Sequence, residues 1–257
     1  MKKYIDVAVE SAVKAGDYAK KRKGKIKSIS YKGEINLVTD VDKSCEDIIV
    51  STIKKYFPSH SILSEEGYTK VTPAEYRWII DPLDGTTNYA HGLPIYSVSV
   101  ALERNDEIIL GIVYDPEREE LFKAERARGS YLNKKRMKVS KTQNLKKALL
   151  VTGFAYNIRK TMQDNMNYFT RFLKTSRAVR RLGSAALDLS YVACGRFDGF
   201  WEMSLHPWDS AAGLLIVREA GGEVTKFDGS PYTHYDKEIL ATNSKIHTQM
   251  MQVLSVK

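Results

Sequence analysis

One apolar stretch that runs straight into two carboxylates constrains this chain more than anything else in it: Trp78-Ile79-Ile80-Asp81-Pro82-Leu83-Asp84-Gly85-Thr86-Thr87-Asn88. Trp78, Ile79 and Ile80 read as a buried strand. Pro82 lacks the N–H that a central ladder needs, so the spacing predicts a turn there, with Asp81 and Asp84 emerging at the strand's end. Gly85-Thr86-Thr87 then opens a short helix whose free N–H groups favour an anion. Two acidic oxygen ligands beside such a helix start suit a divalent cation together with phosphate. Taken alone, the segment reads equally well as Asp-Pro and Asp-Gly turns with no chemistry.

Three further acidic clusters sit at element boundaries. Ser64-Glu65-Glu66-Gly67 follows the apolar pair Ile62-Leu63. Asn36-Leu37-Val38-Thr39-Asp40-Val41-Asp42 precedes a strongly periodic helix, where Thr39 and Asp42 have capping-box spacing. His206-Pro207-Trp208-Asp209-Ser210-Ala211-Ala212-Gly213 puts Asp209 in the first turn of another helix, where an acid is also a good cap.

With these segments, and with Gly183-Ser184-Ala185-Ala186 through Asp209 to Gly221-Gly222, the chain resembles the inositol monophosphatase family of Mg²⁺-dependent, lithium-sensitive phosphatases. The likeness runs from about Tyr4 to Asn243. It implies an α/β fold of layered helices and sheets, α-β-α-β-α, in one compact unit of two subdomains. Residues 1–145 would carry most metal ligands; 146–257 would carry the substrate residues and the last ligand, although no linker marks the boundary. It implies a metal shell of Glu65, Asp81, the Leu83 carbonyl, Asp84 and Asp209, filled by Mg²⁺ with Mn²⁺ able to substitute. Thr86 would hold or deprotonate the attacking water, with Asp42 behind it as proton acceptor and Glu65 in the catalytic set. The Gly85 and Thr86 N–H groups would hold the phosphate, while Gly183, Ser184, Ala185, Glu202 and Asp84 would meet the polyol. A homodimer is the family expectation.

Neighbouring residues are read more plainly. Glu66 orients Glu65 or the water, or is solvated; Asn88 caps or steadies its loop. His206 is placed outside the site, and Trp201 and Trp208 are read as core aromatics. Lys32 and Glu34 straddle a position where the family often has a polar group, and neither is given a role.

The expected reaction is Mg²⁺-dependent hydrolysis of a small sugar or polyol phosphate, with myo-inositol monophosphate as the leading candidate. Phosphate monoesters resist uncatalysed hydrolysis strongly, and metal ions answer that by neutralising and activating. The same-class alternative is fructose-1,6-bisphosphatase, alone or as a second activity, with Arg180 and Arg181 reading a second phosphate. The different-class alternative is an interaction protein that turns a basic face to RNA or the transcription machinery. The net charge of +9 invites that reading. Its carriers, Lys20–Lys27, Lys134–Lys138 and Lys146-Lys147, are scattered and lack aromatic interleaving, so nucleic acid is the less favoured partner.

The remaining composition bounds the answer without choosing it. At 257 residues the chain can hold one large core or two fused subdomains. No apolar run approaches the ~20 residues that span a bilayer. No apolar signal core follows Met1-Lys2-Lys3, so a cytoplasmic protein is expected. Two cysteines, Cys45 and Cys194, make no disulfide framework and read as inert thiols on helices.

Periodicity predicts helices over 1–22, 42–57, 160–174, 184–194 and 209–220, and one from Ser244. It predicts a hairpin from Ile95–Leu102 and Ile108–Tyr114 about Asn105-Asp106, and strands over Leu121–Ala124 and Tyr131–Val139 with a tip at Asn133-Lys134-Lys135. Further strands are expected over Ala148–Thr152 and Phe197–Glu202, and near Val224 and Ile239.

Overall fold

A computed structural model of the chain describes residues 3–31, 37–68, 74–155 and 165–255. Lys32, Glu34 and the first part of the helix expected over 160–174 lie outside the described residues.

Two N-terminal helices form the first layer. α1 (Tyr4–Arg22) buries Val7, Ala8, Ser11, Ala12, Ala15, Gly16 and Ala19, mostly small residues, so a partner can approach closely. A Cβ on Gly16 would meet the Tyr114 ring at 2.6 Å. α2 (Asp40–Tyr56) starts on the predicted capping box: Val41 N–H donates to Thr39 Oγ1, and Asp42 Oδ2 accepts from Thr39 N–H.

These helices cover one face of a seven-stranded sheet: β3 (Ser61–Ser64), β4 (Tyr76–Asp84), β5 (Ser97–Arg104), β6 (Glu107–Asp115), β7 (Glu120–Glu125), β8 (Ser130–Leu132) and β9 (Lys135–Arg136). The strands run in chain order, antiparallel except for β3 with β4. The β5–β6 hairpin closes at Asn105 and Asp106, both with positive φ, as its short turn requires. A separate two-stranded ribbon, β1 (Ile29–Tyr31) with β2 (Leu37–Thr39), leads into α2.

The second half builds a five-stranded sheet in the order β11-β10-β12-β14-β13, from β10 (Leu149–Thr152), β11 (Ala178–Arg180), β12 (Gly199–Met203), β13 (Glu223–Thr225) and β14 (Glu238–Thr242). α5 (Ala185–Ala193) and α6 (Pro207–Glu219) lie between the two sheets, and α4 (Met166–Thr175) and α7 (His247–Ser255) cover the far side. Three apolar clusters fill the spaces, centred on Ile49 and Ile80, on Leu189 and Ile216, and on Phe172 and Trp201. The expected α-β-α-β-α layering is therefore the fold. No helix among the described residues is long and apolar enough to cross a membrane.

Two expectations need correction. β4 does not turn at Pro82 but continues to Asp84. Between the pairs Asp81–Ser99 and Asp84–Ser97, Pro82 and Leu83 together oppose Val98, so the proline sits in a bulge. β3 pairing has already ended at Ser64–Ile80, so no ladder bond on that side is lost. The strand expected to reach Val139 ends at Arg136, because Val139 N–H bonds the Ala220 carbonyl at the end of α6 instead. The three-residue strands β1, β2 and β11 are too short to register as periodicity. Cys45 is buried with its thiol pushed up by burial, and Cys194 is half-buried at the end of α5.

The helix–sheet contact that seats α6 is tight at Gly111, where a Cβ would come within 2.6 Å of the Ala212 carbonyl oxygen. Backbone cannot yield as a flexible side chain does. Gly111→Ala is therefore expected to cost ~1–3 kcal/mol, read as a lower midpoint in chemical denaturation; an unchanged midpoint would contradict this packing.

Candidate active site

Both sheets deliver acidic residues to one cavity of about 430 Å³, lined among others by Glu65, Asp84, Glu202 and Asp209. The β4 bulge brings Asp84 to the cavity wall, whereas Asp81 is buried behind it and is not among the lining residues. Asp81 Oδ1 accepts the Leu83 N–H at 3.0 Å, which fixes the bulge from within. The Leu83 side chain is buried, so what it offers the site is its carbonyl. Glu65 stands just past β3, its N–H bonded to the Ile80 carbonyl.

Gly85 has φ +95°, and a Cβ there would lie 2.9 Å from the Ile95 carbonyl oxygen, so this joint of β4 to α3 (Thr86–Ala90) accepts glycine alone without strain. Thr86 Oγ1 lies 2.8 Å from Asp42 Oδ1 and 2.9 Å from the Leu83 carbonyl oxygen, two acceptors for its one proton. Asp42 Oδ2 is held by the Thr39 N–H and hydroxyl, which leaves Oδ1 to Thr86. Asp42 thus closes the capping box of α2 and also accepts from the Thr86 hydroxyl.

The second half supplies the opposite wall. Ser184 caps α5, and its hydroxyl and the Ala186 N–H both donate to Asp84 Oδ2, at 2.6 and 2.8 Å. Asp209 is the third residue of α6, not its cap; the cap is His206, whose N–H donates to Asp209 Oδ2 at 2.6 Å. Glu202 leaves β12 against Gly153, where a Cβ would overlap its carboxyl. Gly183, Ser184 and Ala185 line the cavity as expected.

Three expectations fail or divide. His206, placed outside the site, lines the cavity. Trp208, read as core, packs against the central apolar cluster but also lines the cavity and stacks on His206 with ring centroids 4.9 Å apart, whereas Trp201 is fully buried against Phe172. Arg181 lines the cavity, but Arg180 turns back to donate to the Val179 carbonyl. Asn88 does not cap α3 but steadies the region: its amide donates to the Ile95 and Leu182 carbonyls, tying α3 to the segment before α5. Gly153, Phe154 and Asp188 also line the cavity and went unread in the sequence. Asp188 had a signal, a lone carboxylate inside the apolar helix Ala185–Ala193.

Electrostatically the cavity is overloaded with acid. Burial, then Glu65, Asp84 and Asp209, hold the Asp81 carboxyl well above the carboxylate range. Burial and Glu65 do the same to Asp209. Asp84 is pushed up to about 6 by burial, against its Ser184 and Ala186 hydrogen bonds. Burial raises Glu202 to about 8, with Arg181 partly offsetting it. Among the described residues, no three His, Cys, Asp or Glu side chains already stand in ligating geometry about one point. The donor chemistry is nevertheless that of a hard cation, which takes oxygen ligands and keeps several waters rather than demanding a closed protein cage. Repulsion among the carboxylates is the term such a cation relieves.

The sign of the pH dependence follows. Glu202 and Asp84 hold their protons to higher pH folded than unfolded, so the metal-free protein loses stability as pH rises from about 4 to about 8. The melting temperature of chelator-treated protein is expected to fall between pH 5.5 and 8.5. Added Mg²⁺ should raise it more at pH 8.5 than at pH 5.5; an equal effect at both would contradict the charge reading.

A family model described as "Inositol monophosphatase family" matches residues 1–256. An inositol-1-monophosphatase of Synechocystis is 46% identical, covering 98% of this chain and 88% of the relative. A fructose-1,6-bisphosphatase/inositol-1-monophosphatase of Aquifex aeolicus is 42% identical over 98% and 96%, and Nus factor SuhB of Escherichia coli is 41% identical over 96% and 94%. The solved structure of inositol monophosphatase from Anabaena superposes with a TM-score of 0.90 at 42% identity, covering 98% of this chain and 94% of that one. By fold, by the placement of its carboxylates and by these likenesses, the chain belongs to the inositol monophosphatase family.

Proposed function

We propose that the chain is a Mg²⁺-dependent phosphomonoesterase acting on a small sugar or polyol phosphate, myo-inositol monophosphate first. The observation that carries this reading is the Thr86–Asp42 hydrogen bond beside the Leu83 carbonyl, one residue before the cavity-lining Asp84. Glu65, Asp81, the Leu83 carbonyl, Asp84 and Asp209 would hold the metal, with Mn²⁺ able to substitute. Bound there, it supplies neutralisation of the phosphoryl oxygens, a more acidic water and a stabilised leaving alkoxide.

The chain's own groups do the rest. Thr86 Oγ1 donates to Asp42 and keeps its lone pairs for the attacking water, so a proton taken by Thr86 passes to Asp42 Oδ1. The Thr39 hydrogen bonds hold Asp42 in that orientation. The N–H groups at the start of α3 precede its first internal bond, from Tyr89 N–H to the Gly85 carbonyl, and would hold the phosphate. Glu202, Gly183, Ser184 and Ala185 face the cavity where the polyol would lie, with Asp84 also in reach of a hydroxyl. Residues 1–145 then carry most of the metal and water machinery, and 146–257 the substrate wall. A cytoplasmic homodimer completes the proposal.

A second substrate, a sugar bisphosphate, is favoured by Arg181 on the cavity wall. The polyanion reading is not favoured: Lys20, Arg22 and Lys23 pair with Glu119, Asp40 and Glu117, so part of the basic run is balanced locally.

One mutant series tests this reading. Thr86→Ala is expected to lower turnover of inositol 1-phosphate by ~10²-fold or more, and His206→Ala far less. Arg181→Ala should depress fructose 1,6-bisphosphate hydrolysis alone, by ~10–100-fold, while Arg180→Ala leaves it unchanged. A dead His206→Ala beside a normal Thr86→Ala would overturn the assignment, and a uniform loss on every substrate in Arg181→Ala would remove the bisphosphate reading.

A further inference from the structure

Asp188 is a buried acid on the cavity wall that this mechanism does not use. It sits on α5 one turn past Ser184, 1% exposed, on the wall of the cavity that also holds Glu202 and Arg181. Its Oδ1 is shielded from solvent and has no hydrogen-bond partner among the described residues. A buried carboxylate oxygen without a donor is destabilising, and replacing it by an apolar or amide group would relieve that cost. Its neighbours on the helix, Ala186, Leu187 and Leu189, are fully buried and apolar, so the fold itself gives no reason for a carboxyl there. Asp188 also lines the cavity, so a donor can come from what enters there.

We infer that Asp188 is a second specificity residue for the polyol: its carboxyl accepts a hydrogen bond from a substrate hydroxyl beside the one that Glu202 takes. The inference rests on the phosphatase reading and deepens it, because two carboxyls on one wall select a substrate with adjacent hydroxyls rather than a bare phosphate ester. The terminal torsion of an Asp side chain is broad, so a small rotation exchanges its two oxygens between the interior and the cavity. Burial, then Glu202 and Asp84, hold the Asp188 carboxyl well above the carboxylate range, and Arg181 offsets only part of that. Phosphate chemistry is assigned to Asp81, Asp84 and Thr86, so Asp188 acts in binding and not in turnover.

The test compares wild type with Asp188→Ala and Asp188→Asn on two substrates: myo-inositol 1-phosphate, rich in hydroxyls, and phenyl phosphate, which has none beyond its phosphate. Asp188→Ala is expected to raise KM for inositol 1-phosphate ~10–100-fold with kcat nearly unchanged, and to leave phenyl phosphate within about threefold. Asp188→Asn, which keeps one acceptor oxygen, should fall between. Neither variant should melt below wild type, and a gain of about 2–4 °C fits release of a strained carboxyl. Equal KM changes on both substrates, no change on either, or a clear drop in melting temperature in both variants would overturn the inference and make Asp188 a structural residue. Wild type that releases phosphate from neither substrate would instead overturn the phosphatase reading itself.

Discussion

Mutual repulsion among buried carboxylates is the constraint around which this molecule is arranged. Asp81, Asp84 and Asp209 come from a strand bulge and a helix start that are far apart in sequence; Asp84 and Asp209 raise the proton affinity of Asp81, and Asp84 raises that of Asp209. Such a cluster works against the fold unless donors and a counter-charge hold it. The fold supplies donors at each point: the Leu83 N–H for Asp81, Ser184 and the Ala186 N–H for Asp84, the His206 N–H for Asp209. Two of these donor sets lie at helix starts, where unpaired N–H groups and the helix dipole favour negative charge. What the donors leave over is the demand for a cation. In this view the acid-rich cavity is costly for the empty protein and suited to the metal-loaded one.

The layered architecture makes that convergence possible. α5 and α6 are sandwiched between the sheets, so their N-terminal turns face the end of β4. Gly111 lets α6 come close to the seven-stranded sheet, and Gly85 lets β4 pass directly into α3. Asn88 ties the Ile95 and Leu182 carbonyls together, so α3 and the segment before α5 share one polar clamp. Asp115 adds another link, accepting from Arg118 and from the Tyr191 hydroxyl on α5.

Much of this was legible in the sequence, for a physical reason. Helix caps and turns are local, so the Thr39–Asp42 box, the Asn105-Asp106 turn and the stop after α6 announce themselves within a few residues. The motif residues Glu65, Asp81, Asp84, Thr86 and Asp209 were legible through their resemblance to a family. What escaped depends on distant partners. Nothing near Pro82 says that β3 pairing has already ended, so a bulge read as a turn. His206 and Trp208 face the cavity because of where α6 is seated, which no local pattern reports. Gly153 is needed because Glu202, 49 residues later, occupies the space a Cβ would fill.

The account depends most on a hard cation making the acidic cavity catalytic. The direct measurement is phosphate release from myo-inositol 1-phosphate by protein stripped with a chelator, followed as Mg²⁺ is titrated back. The account predicts loss of activity on stripping and its recovery with Mg²⁺ or Mn²⁺. Full activity after stringent chelation would contradict it.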